Sequence, residues 1–133
     1  MSKSKTVKRN LYYTNDHEWI DYQGSVAYIG VCEFKLKGIK QIHQMTFAEN
    51  LGLKKQGEVV ATIQYDDYKI DVHMPTDGRV IGINEALFPG GQNLLLDQPE
   101  QNGWVALIVP NQPYERKGLM QPEQYKLFNK RKP

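Results

Sequence analysis

The stretch from Val59 to Met74 constrains this chain more than any other, because only one register folds it back on itself coherently. Turning it about Asp66-Asp67 sets Tyr65 opposite Tyr68, Ile63 opposite Ile70, Ala61 opposite Val72 and Val59 opposite Met74. Side chains alternate between the two faces of a strand, so these apolar pairs share one face. The other face sets Gln64 against Lys69, Thr62 against Asp71 and Val60 against His73. A slip of one residue mixes apolar with polar partners on both faces, which specifies the register. Aspartate suits a tight turn, since its side chain bonds nearby backbone and tolerates the left-handed region. Pro75 ends the second strand because it cannot donate to a ladder. The expectation is a β-hairpin with Asp66 and Asp67 exposed at its tip.

One hairpin buries too little to stand alone, and the remaining segments look like further strands. Gly24, Gly30, Gly38, Gly52, Gly57, Gly78, Gly82, Gly90-Gly91 and Gly103 divide short runs rich in Val, Ile and Tyr. That punctuation predicts an all-β sandwich or barrel. The run from Gly24 to Gly30 echoes that from Gly78 to Asn84, each a turn glycine followed by a short apolar strand. The echo fits two matching halves around one core, or chance similarity between strands. Leu94-Leu95-Leu96 and Val105 to Val109 read as buried strands, bounded by Gly103 and Pro110. Helices are few: about two turns over Glu33 to Lys40, weakened by Gly38, and one near the C-terminus. There Pro122 suits a first turn and Glu123 complements the helix dipole. Tyr125, Leu127 and Phe128 are expected to dock it.

A chain of 133 residues is one domain, able to bury roughly two-thirds of its unfolded surface. It holds no run of about 18 apolar residues, so no membrane-spanning helix is expected. Met1 to Asn10 is polar and basic, which predicts no secretory signal. Cys32, the sole cysteine, excludes an internal disulfide and any multi-cysteine zinc site. The expected location is the reducing cytoplasm. Residues 1–10 and 129–133 read as basic solvated tails, carrying Lys3, Lys5, Lys8 and Arg9 at one end and Lys130, Arg131 and Lys132 at the other. Between them stand ten basic and fifteen acidic residues, a net charge of −5. A nucleic-acid binder needs a basic face on its folded body, so nucleic acid is not an expected partner.

Catalytic chemistry finds little support. His17, His43 and His73 are scattered, without the spacing of a metal-ligand set. Cys32 reads as a buried structural cysteine rather than as half of a nucleophile-base pair. Asp66 and Asp67 point into water at the tip, without the enclosure that separates the pKa values of an acid and a base. No glycine loop able to cradle phosphate joins a strand to a helix. No catalytic residue and no metal ligand is expected, and the chain does not read as an enzyme.

A family resemblance runs from about Leu11 to Phe128. Tyr13-Thr14-Asn15-Asp16-His17-Glu18-Trp19 resembles the opening motif of the glycine cleavage system H protein family. Gly30-Val31 with Glu33-Phe34 is similar to that family's strand-to-helix passage. Met74-Pro75-Thr76-Asp77-Gly78-Arg79-Val80 resembles its Ser-Pro-x-x-Gly-x-Val segment, and Asn84-Glu85-Ala86-Leu87 its Asn-x-x-Leu block. Gly103-Trp104 matches its Gly-Trp, and Tyr125 stands where its terminal helix carries a tyrosine. The resemblance implies an antiparallel β-sandwich of the lipoyl and biotinyl type, a barrel-sandwich hybrid with short helices and a C-terminal helix, over residues 11–128.

It also implies a role as a carrier. Such a protein bears lipoate on a lysine at a hairpin tip. The arm visits a decarboxylase, an aminomethyltransferase and dihydrolipoamide dehydrogenase in turn. The family motif there reads Glu-Ser-x-Lys-Ala, with the lysine eight residues before the proline that Pro75 matches. Counting back sets Asp67 at the lipoyl-lysine position, with Gln64 and Tyr65 in place of the glutamate and serine. A carboxylate cannot form the amide link. Lys69 is the nearest lysine, and the pairing sets it on the polar strand face opposite Gln64 rather than at the apex. The expectation is therefore a non-enzymatic H-like protein without lipoate. It would dock through Tyr65, Asp66, Asp67, Tyr68 and Asp71 to glycine-cleavage or lipoylation enzymes. The alternative is a functional carrier with lipoate on Lys69. An enzyme using Asp66 or Asp67 has no supporting constellation.

Overall fold

In the computed structural model, which describes residues 8–49, 51–87 and 90–130, the described residues form nine strands in two antiparallel sheets. The strands are β1 (Leu11–Tyr13), β2 (Glu18–Gln23), β3 (Val26–Val31), β4 (Gln44–Phe47), β5 (Leu53–Lys54), β6 (Val59–Tyr65), β7 (Tyr68–His73), β8 (Gly78–Ile83) and β9 (Ala106–Pro110). The larger sheet has the order β1-β2-β3-β9-β8-β5, the smaller β4-β6-β7. Inward side chains of the two sheets meet in one core. Ile20, Ile29, Val31 and Ile108 come from the larger sheet; Val60, Ala61, Ile63 and Val72 come from the smaller. Each Val or Ile among them contributes about 1.5–3 kcal/mol of burial. The two-sheet fold is the all-β architecture expected from the turn spacing. The echoing segments lie in one sheet, where β3 and β8 flank β9.

Glycine is required where β3 pairs with β2 opposite Trp19. A Cβ on Gly30 would stand 2.6 Å from Cζ2 of the Trp19 ring. That ring is fully buried, with its N–H donating to the carbonyls of Val31 and Pro99. It cannot move aside without breaking both bonds.

The hairpin follows the expected pairing from Tyr65↔Tyr68 down to Ala61↔Val72. Below that the register shifts. Val59 lies opposite His73, not Met74, because a β-bulge intervenes between Val59 and Ala61. Both Val60 and Ala61 are fully buried, and an extra residue in one strand lets two neighbours turn inward together. Strict alternation cannot express that.

Three other expectations are corrected. Leu94-Leu95-Leu96 is not a strand; it lies in the one-turn helix α1 (Leu94–Asp97). Only Leu95 is fully buried there, as one side of a turn allows, whereas a central strand would bury all three. Glu33 to Lys40 makes a single 3-10 turn, Glu33–Leu36, and Gly38 at φ 88° leads the chain away. Helix α2 (Pro122–Lys130) begins at Pro122 as expected and buries Tyr125, but Leu127 remains exposed rather than docked. Tyr125 stacks on Tyr13 with ring centroids 4.4 Å apart, which ties α2 to β1.

Of the basic ends, Arg9 lies against the body, 3.3 Å from Asp21 and over the Trp19 ring. Lys130 closes α2. Lys3, Lys5, Arg131 and Lys132 lie outside the described residues. Among the described residues no helix is long and apolar enough to cross a membrane.

Candidate functional site

The hairpin of β6 and β7 has two chemically distinct ends. At its apex Tyr65 and Tyr68 close a two-residue loop, their rings 5.7 Å apart. Asp66 takes φ 49°, the left-handed conformation that aspartate accepts more readily than most residues. Asp66, Asp67, Tyr68, Lys69 and Asp71 are exposed, and Tyr65 is half-buried. Lys69 stands opposite Gln64, and Asp71 accepts a hydrogen bond from the Thr62 hydroxyl at 2.9 Å. The apex thus gathers three carboxylates and two phenols on one hairpin end.

Sequence reasoning missed His43 here. Its N–H donates to the Gln64 carbonyl at 2.9 Å, which lays the start of β4 along β6. Its Nε2 then comes 3.6 Å from Asp66 Oδ1. Nothing in the local sequence joins these residues; only strand pairing does. Both side chains are largely in water, so the contact adds little stability.

At the base of the hairpin lies a buried charge cluster that the sequence also hid. Glu18, at the start of β2, is 2 % exposed. Its Oε2 accepts from Lys35 Nζ at 2.7 Å and from the His73 backbone N–H at 2.9 Å, with His73 Nδ1 at 3.0 Å. Lys35 also donates to Asp16 Oδ2 at 2.8 Å. Burial pushes the Glu18 carboxyl above the usual carboxylate range, opposed by the nearby Lys35 ammonium and the bonds from His73. An open cleft of about 330 Å³ lies alongside, lined by Thr14, Gln56 and Pro75 among others. Asp16, Glu18 and His73 place their ligand atoms within 4.8 Å of one another. The Lys35 ammonium already bridges the two carboxylates, so the cluster carries its own cation. What it does mechanically is join β7 of the smaller sheet to β2 of the larger.

His17, between the two acids, turns the other way at φ 62°, and its Nδ1 lies 2.8 Å from the Tyr125 hydroxyl. Cys32 is fully buried beside that hydroxyl, and burial pushes its thiol well above the ordinary range. A thiol held in its protonated form is a poor nucleophile.

The family model described as "Glycine cleavage H-protein" matches residues 11–132 of this chain. The probable glycine cleavage system H protein of Aeropyrum pernix is 32% identical over 119 residues, covering 90% of this chain and 82% of that protein. The glycine cleavage system H protein of a Thermoanaerobacter species is 29% identical over 122 residues, 92% of this chain and 95% of its own. Among solved structures, a glycine cleavage system H protein from Mycobacterium marinum superposes with a TM-score of 0.77. The match covers 93% of this chain and 99% of that one at 19% identity, and so speaks for the fold.

Proposed function

Because this chain belongs to the glycine cleavage H-protein family, we propose that it acts in the cytoplasm as a non-catalytic H-like protein that bears no lipoate. It docks through its hairpin tip to glycine-cleavage or lipoylation enzymes. The observation that carries this reading is the apex itself: the two exposed residues of the turn are Asp66 and Asp67, and neither offers an amine. Lipoate is held by an amide to a lysine nitrogen, and the resemblance sets Asp67 at that position. The residues at the apex do not fit the group. A second reading keeps the carrier role with lipoate on Lys69, favoured by the exposure of Lys69 two residues past the turn. Against it stand its place on the strand face and the departures at Gln64 and Tyr65.

Intact mass separates the two readings. Expressed with lipoate and a lipoate ligase, the chain is expected to keep its unmodified mass, and Asp67→Lys to gain the lipoyl increment in part of the population. A lipoyl group on Lys69 of the unaltered protein overturns the proposal in favour of the carrier.

Docking has its own test. Tyr65 and Tyr68 supply rigid apolar area, while Asp66, Asp67 and Asp71 suit a cationic partner surface. Binding of the aminomethyltransferase or a lipoylation enzyme should weaken as salt shortens the Debye length below about 8 Å. Changing Asp66 and Asp67 together to Asn should weaken it roughly tenfold, at somewhat under 1 kcal/mol for each exposed pair. Binding indifferent to both salt and substitution would remove the tip from the interface.

A further inference from the structure

Among the described residues the smaller sheet leaves β7 with a free edge, since β4 and β7 both flank β6. Tyr65 and Tyr68 close a two-residue loop, and such a closing pair exchanges both of its hydrogen bonds. The backbone groups of Tyr68, Ile70 and Val72 therefore face β6, and those of Lys69, Asp71 and His73 face outward. His73 agrees with that phase: its N–H leaves the sheet and donates to Glu18 Oε2 at 2.9 Å. Among the described residues, neither Lys69 nor Asp71 makes a backbone bond outside the ladder, and both are exposed. Unpaired edge groups are a template for another strand unless charge or shape opposes it.

Here the charges select a partner. We propose that β7 pairs antiparallel with β7 of a second copy of this chain, across a two-fold axis through Ile70. In that register Lys69 faces the partner's Asp71 and Asp71 faces the partner's Lys69. The backbone groups of those two pairs are the outward ones, so they form four hydrogen bonds. The Lys69 and Asp71 side chains share the polar face of β7 and make two ion pairs across the axis. Thr62 occupies only Oδ1 of Asp71, leaving its second oxygen for the ammonium. Slipping the copies by two residues sets Lys69 on Lys69 or Asp71 on Asp71, and like charges directly opposite repel. Odd slips put the outward groups out of phase. The ladder stays short, because Glu18 already holds the next outward N–H at one end and the turn lies at the other. So small an interface belongs to the weak class, with dimers at concentrations of about 0.1–1 mM.

The pairing uses Lys69 as a free ammonium. It is tested on full-length protein from a host lacking lipoylation enzymes, so its outcome is separate from that of the proposed function. Sedimentation up to about 1 mM should show a monomer–dimer equilibrium. Amide exchange at Lys69 and Asp71 should slow as the dimer fills. Lys69→Asp and Asp71→Lys, each with an unchanged circular dichroism spectrum, should each weaken association at least about tenfold, because each sets like charges opposite one another. Mixing the two variants should restore a heterodimer at least as strong as the unaltered dimer, since two carboxylates then face two ammonium groups. A monomer at 1 mM overturns the proposal, as does a dimer indifferent to the single changes or a mixture that stays monomeric.

Discussion

Lys35→Met is expected to lower folding stability by about 3 kcal/mol at pH 8, and by clearly less near pH 4. The Lys35 side chain is only 10 % exposed, and Glu18 is more buried still. Deleting one partner of a buried pair costs about 3–5 kcal/mol, because the remaining charge loses its compensation. The low end applies here because the His73 N–H still reaches Glu18 Oε2. The pH dependence follows from Glu18, whose carboxyl is raised by burial. An acid with a raised folded-state pKa contributes stability that is complete below its unfolded pKa and is lost as pH rises through the folded value. Removing the ammonium raises that carboxyl further, so the deficit opens as pH climbs from the ordinary carboxylate range. Urea unfolding at pH 4 and pH 8 measures it. Adding Glu18→Gln to Lys35→Met should regain most of the loss at pH 8. Equal losses at both pH values would mean that Glu18 does not set the energetics of the cluster.

Above about pH 9 the protein is expected to lose stability steeply, by up to about 4 kcal/mol per pH unit near pH 11. Cys32, Tyr13 and Tyr125 are all buried, and desolvation raises all three above their ordinary values. The folded chain keeps these three protons after the unfolded chain has released its own. With more protons bound in the folded state, stability must fall as pH rises, at about 1.4 kcal/mol per pH unit for each group. The three groups form one cluster: Tyr13 stacks on Tyr125, whose hydroxyl lies beside the Cys32 thiol. Loss of α2 should therefore lead the transition. Unfolding free energies measured from pH 8 to 11 give the slope, and Tyr125→Phe should reduce it by about one proton. A flat profile over that range would show that these groups ionise freely in the folded state.

The hairpin shows how far local pattern reaches. Its apex and upper register follow from side-chain alternation alone, because each apolar pair from Tyr65–Tyr68 to Ala61–Val72 shares one face. The bulge at Val60 was hidden, since it answers to the depth of the core beneath it and not to any period along the strand. Leu94 to Leu96 shows the same limit, as a short apolar run is compatible with strand or helix until its neighbours decide.

The charge cluster lay further out of reach. Asp16, Glu18, Lys35 and His73 come from three separated parts of the chain, and each alone reads as an ordinary surface residue. Only the closure of the two sheets puts Glu18 at 2 % exposure and so turns a common side chain into a buried charge that needs Lys35. What the chain settled by itself was whatever depends on alternation, turn chemistry and composition: the β class, the hairpin, its acidic tip and the start of α2 at Pro122. What waited for the tertiary structure was whatever depends on proximity between distant segments: His43 beside Asp66, Cys32 beneath Tyr125, and the free edge of β7. The reason is physical. Alternation and turn preference act between residues a few positions apart, whereas desolvation, ion pairing and strand edges depend on which segments the folded core brings together.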